Sequence, residues 1–392
     1  MKTRSDQDGD QGATSSAAPR QGAVLVAGGR LRSDGYPRNE ELVRAMTESG
    51  WTLRWSTVTY PAFLYRQPLL LRLALMGVLT PLRWVLMLLL GSVQLARGGV
   101  SHIFVPFPAL LDLPPAWLLS RLGGCRLVAD VFLSSYNTLV EDRGTLHRGG
   151  LAARLVHRIE GLLLGLSDIN LIDTPEHAEL VNALYPHLAP LRSVPLAIDE
   201  ERFRYAPPAE SNTVVFWGTY IPLHGVQTIL EAAALLQDAE PDLRFRLIGR
   251  GQEYPRAREL AASLNLRNVD FEEGILPMEQ IIDRSRACFA ALGVFGATRK
   301  AAQVLPYKAV HALALGLPLI SADTPASRRY LENGIHALLV PPGDAAALAS
   351  AIQRLFKDRS LATSLSQAGR RIFESHFSRE HMRQTVDAML RS

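Results

Sequence analysis

The sequence predicts an α/β protein of two Rossmann-like, doubly wound domains that face each other across a cleft. Three observations support this. The chain has 392 residues, more than a single hydrophobic core usually holds. Short apolar strands and amphipathic helices alternate from Gly22 onward, as in doubly wound sheets. The alternation then restarts after Pro207 and Pro208, which mark a linker. A hydrophobic content of 47% and a charged content of 20% exclude a disordered or collagen-like chain.

The first half contains the elements of one such domain, which we assign to residues 22–206. Residues 23–27 (AVLVA) are continuously apolar, as expected for a strand that is buried on both faces. A loop over residues 28–39 follows. The remaining predicted elements are a helix at 40–49, strands at 52–59, 101–105 and 126–131, a helix at 151–166 and a strand at 169–172. Residues 1–21 are polar, carry no secretory signal and are predicted to be a disordered tail.

The second half repeats the pattern over residues 207–375. Residues 376–392 are predicted to form a terminal helix that crosses back to the first domain. The predicted strands are 214–217, 244–248, 269–271, 287–292, 318–322 and 338–340. The predicted helices are 226–238, 253–264 and 278–286, one that carries Lys308, one capped by Asp344, and a helical end from residue 360.

Lys308 and His311 are the most informative polar residues of this half. They lie three residues apart, so they share one face of their helix. They also lie near its N-terminus, where free N–H groups and the helix dipole favour anions. Residues 214–225 repeat the sequence of strand, glycine loop and helix, with Gly218 and Gly225 in the loop. Two such units at one crevice predict a site for a phosphorylated ligand.

The first half also contains a window without acidic residues, from residue 49 to residue 111. Five arginines lie in it: Arg54, Arg66, Arg72, Arg83 and Arg97. Within it, residues 61–97 include a strongly apolar, leucine-rich run interrupted by Pro81. Three interpretations are open: a buried helix pair, an interfacial helix pair resting on anionic lipid, or a membrane span. The longest uncharged piece, residues 84–96, is 13 residues long and therefore short for a span.

The cysteines and acidic residues give no sign of a metal or disulfide framework. Cys125 and Cys288 lie in apolar contexts and are predicted to be buried, inert thiols, as expected in a reducing cytoplasm. Asp-x-Asp motifs occur only within residues 6–10, in the tail. We therefore predict no metal and no cofactor.

Four strings of the second half, taken together, resemble the family 4 retaining glycosyltransferases, nucleotide-sugar-dependent enzymes of the two-domain GT-B fold. The strings are GTYIPLHGVQTILEAAALL, LIGRGQEY, PYKAVHALALGLPLIS and ENGIHALLVPPGDAAALASAI. The resemblance covers residues 213–391 well and the first half more loosely. There, GYPRNEELVRAM and ADVFLSSYNTLVEDR look like members that build bacterial surface polysaccharides or their lipid-linked precursors.

The chain departs from this family at four positions. The Arg and Lys that grip the donor pyrophosphate in the family correspond to Thr219 and His224, and the Glu-x7-Glu pair corresponds to Gln303 and His311.

The resemblance implies that Lys308 neutralises the donor phosphate and that His311 accepts a ribose hydroxyl. We expect protonation of His311 to weaken binding below a pKa of about 6.5. Simpler roles stay open: a solvated lysine at 308, a packed histidine at 311 and a loop-capping histidine at 224.

The first domain contributes its own candidate residues at the ends of strands. Gly28 and Gly29 would let the backbone approach a ligand closely. Arg30 and Arg38 would add positive charge there, or be solvated loop arginines. Asp130, at the carboxyl end of its strand, would orient the acceptor or act as a catalytic base, unless it serves as a helix cap or loop residue.

We therefore predict a retaining glycosyltransferase. It would move a sugar from a nucleotide-sugar to a lipid-linked or polysaccharide acceptor at the cytoplasmic face of an anionic membrane, with no nucleic-acid partner. Two alternatives remain: a sugar-nucleotide epimerase of the same architecture, and a non-catalytic partner subunit. The sequence leaves the donor base, the sugar and the acceptor undetermined.

Overall fold

A computed structural model describes residues 22–29, 36–61, 63–64, 67–189 and 191–392. These residues form two six-stranded sheets whose paired strands all run parallel. The first sheet has the order β2-β1-β3-β4-β5-β6 and the second β12-β11-β10-β7-β8-β9. The strands are β1 (Ala23–Ala27), β2 (Thr52–Ser56), β3 (Val100–Val105), β4 (Arg126–Asp130), β5 (Ile169–Ile172), β6 (Arg192–Ser193), β7 (Thr213–Trp217), β8 (Arg244–Gly249), β9 (Val269–Glu273), β10 (Ala290–Leu292), β11 (Leu319–Ala322) and β12 (Leu338–Val340). The predicted pair of doubly wound domains is confirmed.

Helices cover both faces of each sheet. They are α1 (Arg38–Glu48), α2 (Leu69–Ala96), α3 (Leu113–Gly123), α4 (Leu151–Leu164), α5 (Pro175–Leu184), α6 (Val226–Leu236), α7 (Tyr254–Ser263), α8 (Met278–Arg286), α9 (Tyr307–Leu315), α10 (Pro325–Arg328), α11 (Ala345–Lys357), α12 (Arg359–His376) and α13 (Arg379–Arg391). The helices α3 and α5 were not predicted from the sequence. The predicted start of β10 was also too early, because Ala287 is the C-cap of α8. The predicted tail, Arg30 and Arg66 lie outside the described residues.

The chain crosses between the domains twice. After α12 it returns to the first domain, where α13 packs on α1 and the Trp51 indole donates a 3.1 Å hydrogen bond to Asp387. Met382 and Val386 join the core beneath β1. At this second crossing, the Arg379 guanidinium bonds Glu41 of α1 at 2.7 Å and Asp199 of the first crossing at 2.9 Å. The last helix is therefore part of the first domain.

The arginine-rich apolar run forms one 28-residue helix, α2, that continues through Pro81. The predicted helix pair is therefore wrong. The prediction of a buried pair also fails, because the outward side chains of α2 are exposed, Val78 by 73% and Leu89 by 61%. The inward side packs on the sheet, with Met87 buried and its carbonyl accepting a 2.6 Å hydrogen bond from Ser56. Both native thiols are buried as predicted, and burial raises the pKa of Cys288 to about 11.

Arg83 of α2 faces inward, contrary to the prediction that it points to lipid. Its guanidinium lies 3.1 Å from the Asp112 carboxylate and 4.0 Å from the centre of the Tyr60 ring. Asp112 also accepts a 2.7 Å hydrogen bond from the Gly29 N–H. Gly28 has a φ of +93°, and a Cβ there would lie 2.6 Å from the Asp112 carboxylate. Only glycine therefore suits position 28, and Asp112, paired with Arg83, anchors Gly28 and Gly29 after β1.

Arg83→Gln should destabilise the first domain, because it leaves the Asp112 carboxylate buried without its cation. The expected cost is about 3 kcal/mol, typical of breaking one side of a buried pair. The matched control is Arg72→Gln on the same helix, which is half-buried and should change stability by less than about 0.5 kcal/mol. Thermal melting of both variants beside the wild type tests this. Equal melting temperatures for the two variants would mean that the Arg83–Asp112 pair contributes nothing to stability.

Candidate functional site

The segments that follow the carboxyl ends of strands in the two sheets meet along one cleft. The Thr174 hydroxyl, after β5, donates a 2.6 Å hydrogen bond to the carbonyl of Gln303 in the second domain. The Arg329 guanidinium lies 2.6 Å from the Glu176 carboxylate across the same boundary. These contacts join the two domains at the cleft.

Lys308, the second residue of α9, lies inside this cleft. Its side chain is buried, its amine is 3.8 Å from the centre of the Phe216 ring, and the amine has no hydrogen-bond partner among the residues that the structure describes. A Cβ on Gly218 would come within 2.8 Å of that amine, and the φ of +147° at Gly218 also favours glycine. Burial lowers the pKa of Lys308 well below its usual range. The interpretation as a solvated lysine is wrong, and a buried amine without a partner favours an anion as its ligand.

His311 lies on the next turn of α9, also buried. Its ring stacks on Phe203 with the ring centres 4.3 Å apart, and within the described part of the chain neither ring nitrogen has a hydrogen-bond partner. Burial, with a smaller effect of Arg202, lowers the pKa of His311 to about 3. The expected loss of binding on protonation therefore moves from the unperturbed pKa of about 6.5 to about pH 3. A neutral ring still offers one donor and one acceptor.

Two further polar atoms, the Gln303 side-chain oxygen just before α9 and the Tyr307 hydroxyl at its start, are buried and have no partner among the described residues. Sequence analysis missed Tyr307, because a tyrosine among apolar residues resembles ordinary core. Its ring packs 6.3 Å from that of Phe132 in the first domain, and burial raises the pKa of its hydroxyl. Together with Lys308 and His311, these residues make the first turns of α9 rich in unsatisfied polar groups.

The glycine loop after β7 is occupied by its own contacts. The His224 ring bonds the carbonyl of Thr219, and burial, followed by the nearby lysine of α9, lowers the pKa of His224 well below its usual value. The Gly218 N–H donates to the Ile248 carbonyl at 3.0 Å and is therefore not available to a ligand. Gly225 packs closely on the backbone of residues 295–296. His224 thus caps its loop, the simpler of the two roles left open.

The first domain presents a buried ion pair to the cleft. Arg38 is the first residue of α1 and 1% exposed, so its interpretation as a solvated loop arginine is wrong. Its Nε atom donates to both Asp130 carboxylate oxygens, at 2.9 and 3.0 Å. Burial raises the pKa of Asp130, against the lowering effect of Arg38. This geometry favours an anchoring role for Asp130, and its catalytic role stays a prediction. Gly28 and Gly29 contact Asp112, and Arg30 lies outside the described residues.

Lys300, which sequence analysis also missed, joins the two domains. Its buried amine donates a 2.8 Å hydrogen bond to the Thr138 hydroxyl and lies 4.0 Å from Asp142. Thr138 and Asp142 belong to a π-helical segment, Asn137–Asp142, of the first domain. Burial lowers the pKa of Lys300, and Asp142 opposes that effect. A usable signal existed, because only four of the 42 basic residues are lysines and two of those line this cleft.

Within the described part of the chain, no group of three or more His, Cys, Asp or Glu side chains is arranged to hold a metal ion. The predicted independence from metal and cofactor stays a prediction.

Comparison with known proteins shows what the chain is similar to. Residues 197–372 match the family model described as glycosyl transferases group 1. A lipopolysaccharide core biosynthesis glycosyltransferase of Rhizobium meliloti is 28% identical over 180 residues, which cover 46% of this chain and 50% of that protein. A phosphatidyl-myo-inositol mannosyltransferase of Mycolicibacterium smegmatis is 29% identical over 195 residues, 47% of this chain and 48% of that one. The chain thus spans about half the length of the curated relatives it matches.

Solved structures resemble the whole chain in fold. Sucrose-phosphate synthase from Thermosynechococcus elongatus superposes with a TM-score of 0.68 at 18% identity, covering 95% of this chain and 98% of that one. Anabaena Alr3699/HepE in complex with UDP-glucose gives a TM-score of 0.65 at 14% identity, covering 94% and 99%. The chain has the GT-B fold, and its residues 197–372, which carry Lys308 and His311, are similar to the glycosyl transferases group 1 family.

Proposed function

We propose that the protein is a retaining glycosyltransferase that uses a nucleotide-sugar donor. The acceptor is a lipid-linked or growing glycan in cell-surface glycan synthesis, and the protein works at the cytoplasmic face of a membrane without a metal or cofactor. The observation that carries the proposal is the buried amine of Lys308 at the start of α9, opposite Gly218, which has no hydrogen-bond partner among the described residues and lies in the part of the chain that is similar to group 1 glycosyl transferases. The comparisons support the donor class, since one solved structure of this fold holds UDP-glucose.

The departing diphosphate is the part of the reaction that the cleft is best suited to stabilise. Transfer has an oxocarbenium-like transition state, in which the bond from the sugar to phosphate breaks and negative charge grows on the diphosphate. A cation inside a dry cleft stabilises that charge more strongly than one in water. Lys308 supplies the cation and the N-terminus of α9 adds its dipole. His224, engaged within its own loop, leaves this task to α9.

His311 and Gln303 occupy the positions of the family's acidic pair. A neutral imidazole can accept one hydrogen bond from a ribose hydroxyl, without the charge assistance of a carboxylate. Its stacking on Phe203 holds the ring in one orientation. We therefore assign His311 to donor recognition and Gln303 to the same polar pocket. Asp130 serves the acceptor side by holding Arg38 in place.

The function is tested by following the sugar. The nucleotide is first identified by thermal stabilisation with UDP, GDP, ADP and dTDP, since a ligand of the native state raises the melting temperature. The matching radiolabelled nucleotide-sugar is then incubated with the protein and a bacterial lipid extract. Label in a lipid or glycan product supports glycosyl transfer. A changed sugar on the same nucleotide supports an epimerase. Nucleotide binding without any product from lipid or polysaccharide acceptors supports a non-catalytic subunit.

Lys308→Ala should weaken binding of the nucleotide and slow transfer, because it removes the buried cation. The expected loss is about 2–3 kcal/mol, typical of a charge-assisted contact. Lys308→Arg should recover only part of it, because a planar guanidinium differs in shape from a compact ammonium. Lys357→Ala is the matched control, an exposed lysine of the same domain. If calorimetry gives Lys308→Ala the affinity of the control, Lys308 does not contact the donor.

Binding of the nucleotide-sugar should take up a proton. The pKa of Lys308 is lowered in the empty cleft, and a bound diphosphate would raise it. Affinity should therefore rise as the pH falls from the bound-state pKa toward the empty-state pKa, and level off below it. A nucleotide-sugar is the suitable probe, because its phosphates do not titrate near neutrality. Calorimetry in buffers of different ionisation enthalpy counts the protons.

The control for proton uptake is Lys308→Met, which should bind more weakly and take up none. His224 is the other titratable group beside this amine, and its lowered pKa keeps it neutral. Equal uptake in wild type and Lys308→Met would assign the proton to another group.

A further inference from the structure

Three neighbouring helices of the first domain share one outward apolar face. Helices α2, α3 and α4 pack on the same side of the first sheet, through a core that includes Met87, Leu119 and Leu164. α3 contacts both of the others. Their outward positions carry large exposed hydrophobic side chains, among them Val78, Leu89, Leu122, Leu151, Leu155 and Leu162. We call this surface the three-helix face.

The degree of exposure is unusual for a surface that faces only water. Leu151 is 85% exposed, Leu162 72% and Leu122 70%. Single exposed leucines are common, but a contiguous apolar surface over three helices marks a site of contact with another phase or partner. Only α2 lies in the apolar window that the sequence singled out, so α3 and α4 enlarge that surface considerably.

Positive charge predominates on the three helices, which contain five arginines and a single acidic residue, Glu160. Of these arginines, Arg83 is paired with Asp112 and Arg121 with Asp168. Glu160 is buried, and its carboxylate accepts hydrogen bonds from Ser134, Tyr136 and Tyr185. On α4, Arg154 and Arg158 are exposed between the leucines. An anionic surface with an apolar interior complements this pattern. A second copy of the chain would bring arginines against arginines.

The contacts of α2 indicate whether this helix would cross a membrane or lie in its plane. Within the described residues, α2 is the one helix long and apolar enough to cross a membrane by length and composition, over Ala74–Ala96. A crossing helix would need lipid on all sides. The inward side of α2 instead packs on the sheet, where Met87 is buried and Arg83 is paired with Asp112. The Trp84 indole also bonds the Leu111 carbonyl at 2.8 Å. These contacts favour a helix that lies in the membrane plane.

We propose that the three-helix face docks the protein flat on a bilayer that contains anionic phospholipid, with α4 as a second membrane helix beside α2. This deepens the proposed function and rests on it for the purpose of docking. α3 and α4 begin on the side of the sheet where the strands end, so the face reaches the rim of the cleft. A lipid-linked acceptor would approach the cleft from that rim. The charge for docking comes from Arg154 and Arg158, since Arg83 is buried.

Vesicle flotation tests the proposal with vesicles of phosphatidylcholine and phosphatidylglycerol, against phosphatidylcholine alone. The wild type should float with the anionic vesicles and be released by high salt. Arg154→Gln with Arg158→Gln should lower partitioning about 30-fold. Leu155→Glu with Leu162→Glu should abolish it. The matched control is Leu235→Glu with Ile275→Glu, two exposed apolar positions of the second domain, which should bind like the wild type.

Depth is measured with fluorescent labels on single cysteines introduced at residues 89, 155 and 235, since both native thiols are buried. Brominated lipids should quench the labels at 89 and 155 and leave the label at 235 unquenched. Absence of wild-type flotation, or an equal loss in the control variant, overturns the proposal. So does resistance to alkaline carbonate extraction, which indicates a span. Self-association without vesicles that the α4 variants abolish would identify a second copy as the occupant.

Nucleotide stabilisation, measured without vesicles, separates this proposal from the proposed function. Every variant above should keep the wild-type melting shift with the nucleotide. A protein that floats but binds no nucleotide would retain the docking surface and lose its glycosyl-transfer role. A protein that transfers sugar to a soluble acceptor without floating would retain the glycosyl-transfer role and lose the docking surface.

Discussion

The central constraint of this molecule is the buried amine of Lys308, which has no hydrogen-bond partner in the part of the chain that the structure describes. A cation without a partner is costly in a low-dielectric environment, and here the amine contacts an aromatic face and burial lowers its pKa. Glycine at position 218 leaves room for that amine. A diphosphate would relieve the cost directly, which links ligand binding to the charge state of the cleft.

The positions that carry charged side chains in this site differ from those that the family resemblance implies. The glycine loop has Thr219 and His224, and His224 is neutral and engaged within the loop. The positions of the acidic pair hold Gln303 and a histidine that also stays neutral. The positive charge therefore comes from α9 in the second domain and from Lys300 at the domain boundary. A site built in this way relies more on desolvation and less on the number of opposed charges.

The sequence predicted the fold and the helix that carries Lys308 and His311, because both depend on local pattern. The apolar run of β1, the glycine loops and the spacing of Lys308 and His311 are visible within a few residues of chain. What it missed depends on partners far along the chain: Asp112 lies 29 residues from Arg83, and Asp130 lies 92 residues from Arg38. Read without their carboxylates, these arginines resemble surface charges. The apolar face of α4 was missed because its leucines alternate with arginines at helical spacing, which is also typical of ordinary amphipathic helices.

The return of α13 to the first domain has a consequence for how the protein is made. Met382 and Val386 complete the core on one side of β1, so that side stays incompletely covered while the whole second domain is being translated. The second domain is contiguous in sequence and can fold as soon as its own residues have left the ribosome. The half that is synthesised first is therefore the half that finishes folding last. During that period the nascent chain would expose two apolar surfaces of the first domain, the side of β1 that α13 later covers and the three-helix face. Contact with chaperones or early binding to lipid would matter most then.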